Sequence, residues 1–337
     1  MTWLIVPELI PPAEMCAAVL HDLSLPALGT LLARSQRTTT ASTVSTEGAL
    51  CNHFQVARQQ DYPIAPISLS ADGGDPEQHY WLRADPVHLR ATRDQLMLVD
   101  SGAFSISQTE AELFAQAFND HFKDDGYLLY PLRPDRWYLR VAQTPKLRTT
   151  PVNQVTGKHV DPYLPQGVDG LAWHRFYNEV QMLFFSLAVN DAREQRGEIP
   201  INSLWCWGGG VMPYIPRITA GKLWANDPNT RALALLANMP NDALPGDASN
   251  IDEHAIVLLD QLTGAAQYGD YYGWREALLA LEKNWFAPLL SQLKSGQIKQ
   301  LRITTHTPTH QYEWHCQRMD LWRIWRRTPL TQQLTSL

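Results

Sequence analysis

Cysteine is scarce in this chain. The four cysteines, Cys16, Cys51, Cys206 and Cys316, are scattered through 337 residues and form no C-x-x-C pair. That pattern argues against a zinc knuckle, a dithiol redox motif or a disulfide scaffold, and it fits a reducing cytoplasm. Long apolar runs are missing too. None approaches the ~18 residues that suggest a membrane span, so no membrane association is expected. The opening "MTWLIVPELIPP" lacks a basic segment and is broken by Pro7, Pro11 and Pro12. It reads as a buried strand and turn, not a signal peptide. Excess positive charge is absent as well: the formal net charge is −6, and the clearest basic cluster is "LWRIWRR" near the C-terminal end. No nucleic-acid partner is expected from such a balance. Internal repeats and low-complexity stretches are not found.

What is present suits a large packed core. Hydrophobic residues make up 45% and charged residues 18% of the sequence, which excludes global disorder. The length fits two domains, or one large domain carrying an insertion. Twelve tryptophans is a high count. Each brings a large apolar area and an N–H that needs a partner, which serves cores and interfaces alike.

Residues 3–6, "WLIV", form a short continuous apolar run of the kind found in parallel strands covered on both faces. "AIVLLD" (255–260) and "LRITT" (301–305) have the same character. Leu28, Leu31 and Leu32 mark a helix in residues 25–35, and the hydroxyl-rich 37–47 reads as loop. Residues 79–142 change texture: two strands, a helix, then two strands. In that helix Ser107 and Glu110 make an S-x-x-E capping box, followed by an apolar stripe of Leu113, Phe114, Ala117, Phe118 and Phe122. Residues 168–197 predict one long helix, "INSLWCWGGG" a strand running into a glycine turn, and "WREALLALEKNWFAPLL" a helix interrupted at Pro288. The expected fold is α/β, with a core of mostly parallel sheet flanked by helices, made from residues 1–78 and 149–337. A small α+β lobe at 79–148 is inserted into it.

Several segments carry candidate chemistry. Gly208, Gly209 and Gly210 follow a strand, as a phosphate-cradling turn would, but lack GxGxxG spacing and a P-loop lysine; a simple sharp turn is the other reading. Arg193 and Arg196 share a helix face and could grip a phosphate or carboxylate, or simply sit on a solvated helix end. Arg83 is a third candidate cation for a ligand. The hydroxyl run 38–46 offers Thr43 and Ser45 as nucleophiles, which would need an activating base or metal; the alternative is a polar loop. "ITTHTPTHQYEWH" places His306, His310 and His315 within ten residues. Pro308 argues against a helical H-x-x-x-H metal pair there.

Taken together, "LPALGTLLARS", "YWLRADPVHL", "ISQTEAELFAQAFNDHF", "TPVNQVTGKHVDPYLPQG", "VNDAREQRGEIPINSLWCWGGG" and a late "THTP" resemble the archaeal-type cofactor-independent phosphoglycerate mutases of the alkaline-phosphatase superfamily. The likeness is greatest between Trp81 and Pro213. Stretches such as "WLRADPVHLR" bring the chain closer still to the bacterial RpfE-type regulatory proteins. The resemblance implies that the α/β core is alkaline-phosphatase-like and carries a two-metal site, with an Asp-Gly after the first strand, an Asp and His motif after a later strand, and a final Asp-His-x-Thr-Pro.

This chain departs from that pattern at each place. "LIVPELI" offers only Glu8, "LLDQLTGAAQYGD" offers Asp260 and Asp270 without a histidine between them, and Thr305 precedes His306 where an Asp is expected. A metal pair carries about four positive charges, and a threonine hydroxyl cannot replace a missing carboxylate. The leading expectation is therefore a phosphoglycerate-mutase-like protein that has lost most metal ligands. It would need no cofactor, and would serve a regulatory or ligand-binding role with a phosphorylated small molecule or a regulatory protein as partner. Two alternatives stand beside it. One is an active mutase or phosphatase using manganese or zinc held by Glu8, Asp260, Asp270 and His306; the other is a partner-binding structural protein using its Trp-rich tail.

Overall fold

In the computed structural model, residues 1–11, 20, 22–42, 44–93, 95–326 and 328–334 are described. The chain divides into two compact units: Met1–Leu50 with Arg217–Leu337, and Cys51–Pro216. The break falls outside the expected 79–148 on both sides, for a reason visible in the strand pairing below.

The first unit is built on a seven-stranded sheet. Strand Thr2–Ile5 lies between Ala255–Leu258 and Gln300–His306, parallel to both. Lys222–Trp224 and Asn241–Asp242 extend the parallel part. All four residues of Thr2–Ile5 and all four of Ala255–Leu258 are buried, as continuous apolar runs require when helices cover both faces. The mostly parallel α/β class read from the sequence is the one observed. On the other edge, His310–Gln317 folds back antiparallel on Gln300–His306, and Gln36–Ala41 pairs antiparallel with it in turn. Gln36–Ala41 corrects the expectation of a loop at 37–47. Its "QRTTTA" has little to bury, but an edge strand needs only backbone pairing on one side, and β-branched threonines suit it.

The helical pattern at 274–290 is not broken by its proline. Helix Tyr271–Leu281 passes through a π-turn, Glu282–Phe286, into Ala287–Ser295. Pro288 has no N–H to donate and its ring would crowd the preceding turn, which widening the helix by one residue relieves.

The second unit carries strands Tyr80–Ala91, Leu96–Val99, Tyr127–Arg133 and Arg136–Val141 around helix Gln108–His121, in the chain order expected. Strand Ser203–Gly210 also pairs with Tyr80–Ala91, antiparallel. "INSLWCWGGG" therefore belongs to this sheet and not to the parallel one, which is why the unit reaches Pro216.

The capping box is formed. The Glu110 amide donates to Ser107 Oγ at 3.2 Å, and the Ser107 amide to Glu110 Oε2 at 2.9 Å. The buried face of this helix is Ala111, Phe114, Ala115 and Phe118; Leu113, expected inside, is 48% exposed. The single helix expected over 168–197 is two, Gly170–Phe185 and Ala188–Gln195. Asn190 closes the joint by donating to the carbonyls of Phe184 and Ile201. Among the described residues, no helix is long and apolar enough to cross a membrane.

Candidate functional site

In an open parallel sheet, ligands collect beyond the carboxyl ends of the strands, where loops from neighbouring strands meet. In the first unit that edge carries Glu8 after Thr2–Ile5, Asp227 after Lys222–Trp224, Asp260 after Ala255–Leu258, and His306 at the end of Gln300–His306. Three of these are sequence candidates. Asp227 is not; its signal was local, an aspartate ahead of "PNTRALALL", and it announces a helix cap rather than a ligand.

Their circumstances differ. Glu8 sits at φ 58°, a backbone region that favours glycine. Its carbonyl accepts from Trp274 Nε1 at 3.0 Å. Asp227 caps helix Pro228–Leu236, accepting from the Thr230 amide at 2.7 Å and its hydroxyl at 2.6 Å. Asp270 likewise caps Tyr271–Leu281, accepting from the Gly273 amide at 2.9 Å. Burial, and then the neighbouring Asp227 charge, push the Asp260 carboxyl above the usual aspartate range. Burial lowers His306 to about 4, with Gln311 and Glu313 acting the other way, so its imidazole is neutral at pH 7. Both of its ring nitrogens are buried without a hydrogen-bond partner, as is the hydroxyl of Thr305.

An orphaned, neutral imidazole is what a metal would take. The rest of a binuclear centre does not fit around it. Among the described residues, no three His, Cys, Asp or Glu side chains come together in a way that could hold a metal ion. A metal pair needs several carboxylates at set distances, and here Asp227 and Asp270 are committed to helix N–H groups.

The remaining candidates are dispersed. His310 and His315 lie on the strand His310–Gln317, in a hairpin with Gln300–His306. Ser45 Oγ accepts from the Gly48 amide at the start of a helix, and Thr43 lies outside the described residues. In the other unit, Gly208, Gly209 and Gly210 are buried inside a strand instead of forming a turn. A Cβ on Gly209 would fall 2.4 Å from Tyr80 Oη, and one on Gly210 2.6 Å from Pro63 Cβ. The glycines admit close neighbours, and a phosphate cradle is not what they form. Arg83 pairs with Asp85 and lies over the Tyr138 and Trp207 rings. Arg193, fully buried, donates to the carbonyls of Ile199 and Ser105 and to Glu110 Oε1. Arg196 shares Glu110 with it and is half exposed. These arginines are held by protein acceptors, because a buried guanidinium must satisfy its own donors.

No protein-family model matches the sequence. Relatives do exist among known proteins. The chain is 31% identical over 144 residues to a 2,3-bisphosphoglycerate-independent phosphoglycerate mutase of Methanosarcina mazei, a match covering 41% of this chain and 36% of that protein. It is 26% identical over 153 residues to a probable enzyme of the same description from Geobacter sulfurreducens, covering 45% and 38%. Its relatives are cofactor-independent phosphoglycerate mutases. The chain spans little more than a third of the length of those it matches. In fold it is similar to a protein of solved structure from Pyrococcus horikoshii, with a TM-score of 0.52 at 12% identity, over 94% of this chain and 87% of that one.

Proposed function

We propose that this chain is a degenerate phosphoglycerate-mutase-like protein that has lost most of its metal ligands. It binds a phosphorylated small molecule in a regulatory role, as the resemblance to RpfE-type proteins suggests. The observation that carries the reading is the carboxyl edge of the parallel sheet. It keeps a histidine and carboxylates at successive strand ends, yet Asp227 caps a helix, as the candidate Asp270 also does, and Asp260 is half-buried and pushed toward its neutral form. Without a fixed, charged ligand set, a metal cannot be held at the distance that polarises a phosphate and activates a nucleophile.

The test is a mutase assay on 3-phosphoglycerate with added manganese or zinc, alongside elemental analysis of the purified chain. Turnover at background and no stoichiometric divalent metal are expected. The alternative, a working metal-dependent mutase, draws support from Asp260, whose carboxyl is made costlier to ionise by burial and the neighbouring Asp227 charge. Turnover that appears with manganese and is abolished by His306→Ala would decide for that alternative.

A further inference from the structure

A second region gathers charge of one sign. In the 51–216 unit, Arg58, Lys146 and Arg148 line an open cleft of ≈ 670 Å³ together with Gln166 and Gly167. None of the sequence motifs singled it out, and the sheet edge lies in the other unit.

The cleft is built from a short ribbon and a loop. Strand Leu147–Arg148 pairs antiparallel with Gln166–Gly167. Leu147 is 1% exposed, and because side chains alternate along a strand, Lys146 and Arg148 both project to the opposite, open face. Gly167, at φ 134°, is required: a Cβ there would lie 2.4 Å from the Lys146 carbonyl oxygen.

The loop bearing Arg58 is tied to the ribbon by buried Asp61. Its carboxylate accepts from the Thr149 amide at 3.0 Å and the Thr149 hydroxyl at 2.6 Å, and its carbonyl accepts from the Gln59 amide at 2.9 Å. Thr149 Oγ1 in turn accepts from the Gly208 amide at 3.1 Å, which anchors the arrangement to strand Ser203–Gly210. Gln59 adds a second tie, bonding both the amide and the carbonyl of Val211.

Among the described residues, Arg58, Lys146 and Arg148 form no direct ion pair; the buried Asp61 carboxylate acts on Arg58 and Arg148 only through space. Arg58 makes one long bond, 3.3 Å to the Gln60 carbonyl, and lies over the Tyr62 ring. The nearby acids are occupied: Asp61 by Thr149, and Asp169 by the Lys146 amide at 2.7 Å. Three cations held on one frame at the cost of their mutual repulsion suit a compact dianion, and guanidinium donors suit its oxygens. The volume is that of a small-molecule site.

We infer that this cleft binds the phosphoryl group of a small phosphorylated metabolite through Arg58, Lys146 and Arg148. The choice of a phosphorylated ligand rests on the functional reading above; the cation cluster and its frame do not.

The test is calorimetric titration of the full chain with inorganic phosphate, 3-phosphoglycerate and unphosphorylated glycerate at low salt. Wild type should bind the two phosphate compounds and not glycerate. Lys146→Gln with Arg148→Gln should weaken both by at least about tenfold, the loss of one or two charge-assisted contacts. Arg58→Gln, on a separate segment, should weaken them in the same direction, so a folding defect in the ribbon variant would not decide the matter. Thermal midpoints should stay at the wild-type value, since all three side chains are exposed. No saturable phosphate binding by wild type, or unchanged binding by both variants, overturns the inference. Binding of 3-phosphoglycerate that survives both variants places the ligand elsewhere and leaves the proposed function standing. Metal-dependent turnover would sink the proposed function and leave this site untouched.

Discussion

In the 51–216 unit, Arg83 at 3% exposure and Asp85 at 5% are buried together. The Trp207 indole donates to the second carboxylate oxygen at 2.6 Å, and the rings of Tyr138 and Trp207 cover the guanidinium. At the sheet edge of the other unit, His306 and Asp260 are half-buried, and among the described residues neither forms an ion pair. In the first pair burial pushes the Asp85 carboxyl up as well, but the Arg83 charge and the Trp207 indole act against that shift. The second two groups move toward their neutral forms: at His306 burial outweighs Gln311 and Glu313, and at Asp260 the neighbouring Asp227 charge adds to burial. Burial alone therefore does not mark a functional group; the partner decides whether a buried polar residue is mortar or a vacancy for chemistry.

The sharpest way to break this comparison is Arg83→Met. Asp85 would keep only the Trp207 donor, and removing one member of a buried pair costs about 3–5 kcal/mol. Urea unfolding should show a lowered midpoint; an unchanged midpoint with lost ligand binding would return Arg83 to the list of ligand-holding residues.

A smaller effect is expected within the first unit itself. Glu282, in the π-turn, accepts from the amides of Ala27 and Leu28 at 2.6 and 3.0 Å, capping helix Pro26–Arg34, which has no side-chain cap of its own. Glu282→Gln turns one acceptor oxygen into a donor facing an N–H. A loss of about 1.5–3 kcal/mol follows, read by the same denaturation. Stability equal to wild type would mean the buried carboxylate contributes nothing as a cap.

The smallest effect is in pH dependence. The folded imidazole of His306 titrates at about 4, below its unfolded value of 6.5. Protonation therefore favours the unfolded chain. The contribution of this group to stability is complete above pH 6.5 and is lost as pH falls toward 4. His306→Gln should have a flatter stability profile than wild type across that window, the two converging in slope above it. Parallel profiles would show that His306 finds a partner on folding after all.

The features legible in the sequence were those set by near neighbours along the chain. The capping box at Ser107 and Glu110 depends on a three-residue spacing. The apolar runs at 3–6, 255–260 and 301–305 state that both faces are covered, and so that the strands are central and parallel. The strand and helix order over 79–142 follows from a change of period.

What the sequence could not state is which distant group each polar residue meets. The Glu282 carboxylate reaches amides more than 250 positions away. Arg193 and Arg196 share a helix end that reads as solvated or ligand-binding, and only folding against Glu110 removes Arg193 from both roles. The three glycines carry a phosphate-loop look, but whether backbone N–H groups face a ligand or a packed Pro63 and Tyr80 depends on what the tertiary fold lays beside them. Lys146 and Arg148 are ordinary surface cations in the sequence. They become a site only when the ribbon turns them to one face and Asp61 holds Arg58 opposite. Local periodicity fixes which residues seek burial, because it is set by backbone geometry a few residues at a time; long-range contact fixes their partners, because a charge or donor is satisfied by whatever the folded chain places within a few ångströms of it.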